Sequence, residues 1–348
     1  MLVVTGLPPA LEALCAQLLD QAPTLPPRAV LCAEHGLGSD TSGPGSPLSA
    51  TLQLRWEDAS CGPSVGSSSS SSSTEAAGSS LRGDMEALGA AWVTICAGVA
   101  AACDAWLAPL APGSSATPLS TALLEAREAK ARLIYYSARD GNGQQLQQQQ
   151  PPWQEWHKDY GLFTAVSSPR YWSGAGQVCL QPPPGAGLHV LAAGSGELRP
   201  APLPAGCLGV QLGEAAQILS GGALAAAPHC VVQPPLSQGG GALAAGGGSS
   251  ALQAGQEKAA ACSRATFVVF CQPPSAHPLR PLVHRGEEVQ HSVYAAEDGA
   301  WQATLGTLLP PLQARWPGPG GMASPCTFTD FGKATVKGYF GKAGTQRQ

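Results

Sequence analysis

Apolar residues recur at two different periods along this chain, and the change of period falls near residue 131. Before it they return every three to four positions, the spacing of one face of an α-helix. Leu11 to Leu19 reads as a short helix, and Met85 to Leu107 as a long alanine-rich one carrying Trp92 and Trp106. Ser120 is placed to cap a third helix holding Glu125, Glu128 and Lys130. Beyond it the pattern changes to short apolar runs separated by Gly and Pro. Candidate strands are Arg132 to Ser137, Leu162 to Val166, Gln177 to Gln181, Leu188 to Leu191, Leu208 to Leu212, Ala216 to Leu219, His229 to Val232 and Thr266 to Phe270. Short strands with turn-rich spacing predict a barrel or jelly roll, so the fold class is mainly β with flanking helices (α+β). A helix returns at the C-terminus, where Thr327 and Asp330 fit a cap ahead of Phe331, Ala334, Thr335, Gly338 and Tyr339.

Three segments break both periods: the serine run Ser67 to Ser73, the glutamine tract Gly141 to Gln150, and a Gly/Ala/Ser stretch from Gln238 to Ser250. None has the apolar content to bury a core, so each is expected as an exposed insertion. The 43 Gly and 32 Pro of the 348 residues reflect these breaks. A net charge of −4 with 12% charged residues gives no basic footprint for nucleic acid. The 11 Cys include no C-x-x-C pair, which argues against a structural zinc site and against a secreted disulfide framework. Reduced thiols in the cytoplasm are the plain reading. The N-terminus, Met1-Leu2-Val3-Val4-Thr5-Gly6, has no basic n-region, so no signal peptide is expected. The apolar run Ala87 to Cys103 is short for a span and is closed by Asp104, so a buried helix is expected rather than a membrane one.

The candidate chemistry begins at Trp156-His157-Lys158-Asp159-Tyr160. Side chains two apart on a strand point to the same face, so His157 and Asp159 would present an imidazole and a carboxylate to one point. That is two thirds of the 2-His-1-carboxylate set that holds non-haem Fe(II) with open positions. His229, in Pro228-His229-Cys230-Val231, is the candidate third ligand. Taken alone, a His-x-Asp is more often a surface pair or a satisfied core histidine. The segment Gln211 to Gly222 reads as strand, turn, strand, turn, which would deliver His229 at the start of a barrel strand. Arg264 and Thr266 are again two apart, and a guanidinium fork with a hydroxyl suits a carboxylate. Trp156 and Tyr160 should pack on the opposite strand face, and Phe163 shares the ligand face if the strand continues. Cys230 is best read as a small buried hydrophobe.

The order His-x-Asp, then Gly213-Glu214-x-x-Gln217-Ile218-Leu219-Ser220-Gly221-Gly222, then Pro228-His229-x-Val231, then Arg264-x-Thr266-Phe267 resembles the Fe(II)/2-oxoglutarate-dependent oxygenases. It is most similar to the branch related to isopenicillin N synthase and to plant flavonoid and hormone oxygenases. Lys130 to Tyr136 resembles the strand that opens the barrel in that branch, and Gly187 to Leu191 a later one. The resemblance implies a double-stranded β-helix core over 131–310, interrupted by the Gln-rich (141–150) and Gly-rich (238–250) inserts. It implies a helical N-terminal region over 1–130 with a Ser-rich insert, and a C-terminal helical tail over 311–348. It further implies Fe(II) on His157, Asp159 and His229, and 2-oxoglutarate as co-substrate with its far carboxylate on Arg264 and Thr266. Tyr136 matches a tyrosine that lines the co-substrate pocket in some members. The implied reaction is oxidation, foremost hydroxylation, of a small organic molecule by O2 with release of succinate and CO2. Ascorbate would serve as reductant, and a monomer without nucleic-acid or membrane partners is expected. Two departures stand out: Cys230 follows the distal histidine where the plant enzymes usually have Arg, and the interval from His229 to Arg264 is longer than usual. The alternatives are an iron-dependent oxidase that uses no 2-oxoglutarate and a non-catalytic β-helix binding module.

Overall fold

The computed structural model describes residues 1–24, 48–56, 76–112, 117–138, 152–173, 175–179, 182–192, 195–234, 262–281, 293–294, 305, 309–318 and 326–341. All three low-complexity segments lie outside the described residues. In chain order the elements are β1 (Leu2–Val4), α1 (Pro9–Asp20), β2 (Leu48–Arg55), α2 (Ala76–Leu107), α3 (Leu119–Glu125), β3 (Glu128–Tyr136), β4 (Gln154–His157), β5 (Phe163–Ser167) and β6 (Arg170–Ser173). They continue with β7 (Val178–Cys179), β8 (Gly187–Leu191), β9 (Leu198–Pro200), β10 (Leu208–Leu212), α4 (Glu214–Leu219), β11 (His229–Val232), β12 (Cys262–Cys271), α5 (Leu312–Arg315) and α6 (Phe328–Gly341).

Two antiparallel sheets result. The major sheet runs β1-β10-β5-β12-β3-β2, with β6 joined to β12 and β7 to β6. The minor sheet runs β4-β11-β8-β9. Alternation along β12 defines the layers. Ala265, Phe267 and Val269 face the main core, where the Trp92 ring of α2 lies 5.0 Å from that of Phe267. On the other face, Cys262 packs with Tyr136, Tyr171 and Val231. Val231 belongs to the minor sheet, so this second cluster is the filling between two facing sheets. The layers are therefore helix, major sheet and minor sheet, the arrangement of a double-stranded β-helix.

The long apolar helix packs one stripe, including Leu81, Met85, Leu88, Trp92 and Cys96, on the outer face of the major sheet. By length and composition it would also suffice to cross a membrane. Its neighbour α3 ends sooner than expected. Asp104 of α2 accepts hydrogen bonds from the Leu119 and Ser120 amides (2.7 and 2.9 Å) and from the Ser120 hydroxyl, so Asp104, not Ser120, caps α3. Arg127, at φ 55°, then turns the chain out of the helix, and Glu128 and Lys130 begin β3 instead. The first 130 residues are accordingly not only helical, since they also supply β1 and β2 to the major sheet.

The predicted strand Ala216 to Leu219 is helix α4. It has six residues, and its two polar side chains, Glu214 and Gln217, are too few to mark the helical period, so a short apolar run reads as a strand. The C-terminal cap is as expected: Asp330 Oδ2 accepts from the Thr327 amide (3.2 Å) and hydroxyl (2.6 Å) at the start of α6.

Candidate metal centre

His157 is the last residue of β4 and His229 the first of β11, and the two are paired across the minor sheet. Their ring centroids are 4.2 Å apart. Asp159 stands beyond the end of β4, so the expectation of two ligands on one strand holds only for His157. The carboxylate reaches the same point from a loop. Its Oδ1 is 3.9 Å from His157 Nε2 and its Oδ2 is 3.8 Å from His229 Nε2. One donor atom from each of the three lies within 4.8 Å of the others, the only such cluster of His, Cys, Asp and Glu among the described residues. Because β4 stops here, Phe163 does not continue the ligand face. It is buried in the main core on β5. Trp156 packs beside Leu191 and Leu305, and Tyr160 stacks on Phe328 at 5.7 Å.

The backbone sets the tautomers. His157 Nδ1 is 2.8 Å from the Glu155 carbonyl, and His229 Nδ1 is 3.1 Å from the Ala227 carbonyl. A carbonyl only accepts, so each Nδ1 carries a proton, and each Nε2 is left facing Asp159. Burial, then the neighbouring His157, pushes the His229 imidazole down to about 4, against an opposing pull from Asp159 and from the Ala227 carbonyl. His229 is thus neutral near pH 7, the form that ligates a metal. Two imidazole nitrogens and a carboxylate are the donor set that suits Fe(II).

The backbone around Asp159 is held closely although no strand ladder includes it. The Glu214 amide donates to the Asp159 carbonyl at 2.8 Å, and the Lys158 amide donates to Tyr339 Oη at 3.1 Å. Gly213 permits this contact, since a Cβ there would stand 2.1 Å from the Gly161 carbonyl oxygen. Glu214 is fully buried and forms a two-pronged pair with Arg315, both N–O distances being 2.6 Å. Arg315 Nη1 also donates to Thr335 of α6 at 3.0 Å. Sequence reading missed Arg315 and Tyr339. Nothing near either residue in the chain marks it, and the need of Glu214 for a cation shows only once the structure reveals its burial.

Arg264 lies on β12 opposite Tyr136 of β3 and is 2% exposed. Its Nε and Nη1 have no hydrogen-bond partner among the described residues, and its guanidinium carbon is 5.5 Å from the centre of the Tyr136 ring. Arg264 shares its strand face with Cys262, which packs against Val231 of the minor sheet. Val231 in turn shares its face with His229. The guanidinium and the His–Asp–His cluster therefore belong to the same space between the sheets. A buried cation with unspent donors fits an anionic ligand. Tyr136, its phenol raised mainly by burial, stacks on Trp153 at 5.7 Å. Thr266 is otherwise engaged. Its hydroxyl lies 3.3 Å from Ser167 Oγ, where β12 passes from pairing with β5 to pairing with β6.

No protein-family model matches the chain, and no curated protein matches it. Solved structures do. A Caulobacter crescentus protein assigned to the 2OG-Fe(II) oxygenase family matches with TM-score 0.52 at 13% identity, over 96% of this chain and 88% of that one. A full-length Neurospora crassa protein in complex with alpha-KG and 5-formyluracil matches with TM-score 0.51 at 15% identity, over 85% of each chain. These likenesses show the fold, the double-stranded β-helix of those oxygenases.

Proposed function

We propose that this chain is an Fe(II)- and 2-oxoglutarate-dependent dioxygenase that oxidises, foremost by hydroxylation, a small organic molecule. The observations that support the reading are the His157–Asp159–His229 cluster and the buried Arg264 guanidinium, whose Nε and Nη1 have no hydrogen-bond partner among the described residues. His157, Asp159 and His229 hold Fe(II) from one side and leave the facing positions to ligands. Arg264 receives the far carboxylate of 2-oxoglutarate with charge-assisted hydrogen bonds, and Tyr136 walls that end of the pocket. Thr266 adds its hydroxyl by turning from Ser167. When bound, the metal supplies coupled oxidation, in which O2 delivers one oxygen atom to the substrate and one to succinate as CO2 leaves. The apolar filling around Val231 and Tyr136 keeps bulk water from the site. Every described cysteine is free, which suits the reducing cytoplasm.

An iron-dependent oxidase without 2-oxoglutarate would leave Arg264 with no function in the pocket. Anaerobic titration with Fe(II) and then 2-oxoglutarate tests the reading: a weak visible charge-transfer band of the chelate is expected, and Asp159→Ala abolishes it. A band that survives Asp159→Ala rules out this ligand set. Oxygen uptake without matching succinate favours the plain oxidase.

A further inference from the structure

Asp159 is the one member of the metal cluster that no strand positions, because β4 ends at His157. Its loop is instead gripped from both sides. The Glu214 amide, opening α4, holds the Asp159 carbonyl, and Tyr339 Oη, near the end of α6, accepts from the Lys158 amide. These two grips are joined to each other. The Glu214 carboxylate forks onto Arg315, Arg315 donates to Thr335 of α6, and the Arg315 guanidinium lies 5.9 Å from the centre of the Tyr339 ring.

We infer that Tyr339 is a positioning residue for the metal, acting through the Lys158 amide to place the Asp159 carboxylate, with the Glu214–Arg315 pair locking the C-terminal helix at the distance this requires. The inference rests on the metal reading of the His157–Asp159–His229 cluster. Its physical content is local. Lys158 lies between the two sequence-adjacent ligands, so a hydrogen bond to its amide restrains the peptide units on both sides of it. Partners one step removed from a ligand typically contribute ten- to hundredfold to metal affinity.

The test uses the full chain and Co(II) alone, which reports its ligand geometry through d–d absorption bands. Tyr339→Phe keeps the ring against Arg315 and removes only the acceptor oxygen. It is expected to weaken Co(II) binding by about tenfold and to shift the d–d bands. Val336→Gly is the comparison, since Val336 is 49% exposed on the same helix. It loosens α6 without touching the loop and is expected to leave affinity and spectrum unchanged. Tyr339→Phe binding within twofold of wild type, with the same spectrum, overturns the inference. So does an equal loss of affinity in Val336→Gly, which would make the effect one of general helix stability. A wild-type chain that takes up no Co(II) overturns the metal reading itself and the inference with it, so the two failures are distinguishable.

Discussion

Replacing Arg264 with Met is expected to stabilise the ligand-free protein while weakening its response to 2-oxoglutarate. The guanidinium is buried, yet Nε and Nη1 find no partner among the described residues. Each unsatisfied buried donor costs about 1–3 kcal/mol. Methionine fills most of the same volume with no polar group. What it forfeits is the contact with the Tyr136 ring, worth about 0.5–2 kcal/mol. Two such donors together make about 2–6 kcal/mol, so the balance favours Arg264→Met by about 0–5.5 kcal/mol. Binding moves the other way. Loss of a charge-assisted bond to a carboxylate costs about 1.5–3 kcal/mol, or on the order of 10- to 150-fold in affinity. Urea unfolding of the metal-loaded protein under anaerobic conditions, with and without 2-oxoglutarate, reads both effects. The wild type should start lower and gain stability with the ligand, since a ligand that binds only the native state raises its stability. Arg264→Met should start higher and need about 10- to 150-fold more 2-oxoglutarate for the same gain. A variant less stable than wild type without ligand, or one stabilised equally by 2-oxoglutarate, refutes the assignment of Arg264 as an anion receptor.

Two further perturbations test the surroundings of the metal cluster. Glu214→Ala leaves Arg315 as a buried charge without its carboxylate and should cost about 3–5 kcal/mol in urea unfolding, most of which the double variant Glu214→Leu/Arg315→Met recovers. Lowering the pH should destabilise the metal-free wild type across the window from about 6.5 down to about 4. There the unfolded His229 is protonated while the folded imidazole, held down by burial and His157, is not, so unfolding takes up a proton and acid favours it. Urea midpoints measured through that window should fall less steeply for His229→Asn than for the wild type, and equal slopes would count against a neutral buried His229.

The parts of the fold that were legible in the sequence are those with a repeating signature. The strands of Arg132 to Tyr136 and Thr266 to Phe270 showed as apolar runs between turn residues, and α2 showed as a long apolar helix. Helix α4 was misread because its two polar side chains are too few to mark the helical period. Strand β2 was missed although Leu52, Leu54 and Trp56 alternate with Thr51, Gln53 and Arg55, because it stands between two helices in a region whose other apolar runs have the helical period. The grouping of His157, Asp159 and His229 was legible because two of them are two apart in sequence and the third opens an apolar strand. Its geometry was not. The sequence reading put Asp159 on a strand, whereas its position depends on Glu214 and Tyr339, contacts between residues far apart in the chain that no local pattern encodes.

The distribution of the site over two sheets explains how the chain tolerates a long insertion in its middle. His229 lies on β11, whose register is set by β4 and β8 in the minor sheet. Arg264 lies on β12, whose register is set by β3, β5 and β6 in the major sheet. The two groups that a dicarboxylate would bridge are therefore each held in register by neighbours within their own sheet. Loop-closure cost rises only as the logarithm of length, so extending that segment costs about 0.6 kcal/mol per doubling and displaces neither group. Facing sheets pack about 10 Å apart. A His–Asp–His cluster at one sheet and a guanidinium on the other suit a ligand with two separated anionic ends. On the proposed function, substitutions that pry the sheets apart at Val231 or Tyr136 should weaken 2-oxoglutarate binding more than metal binding.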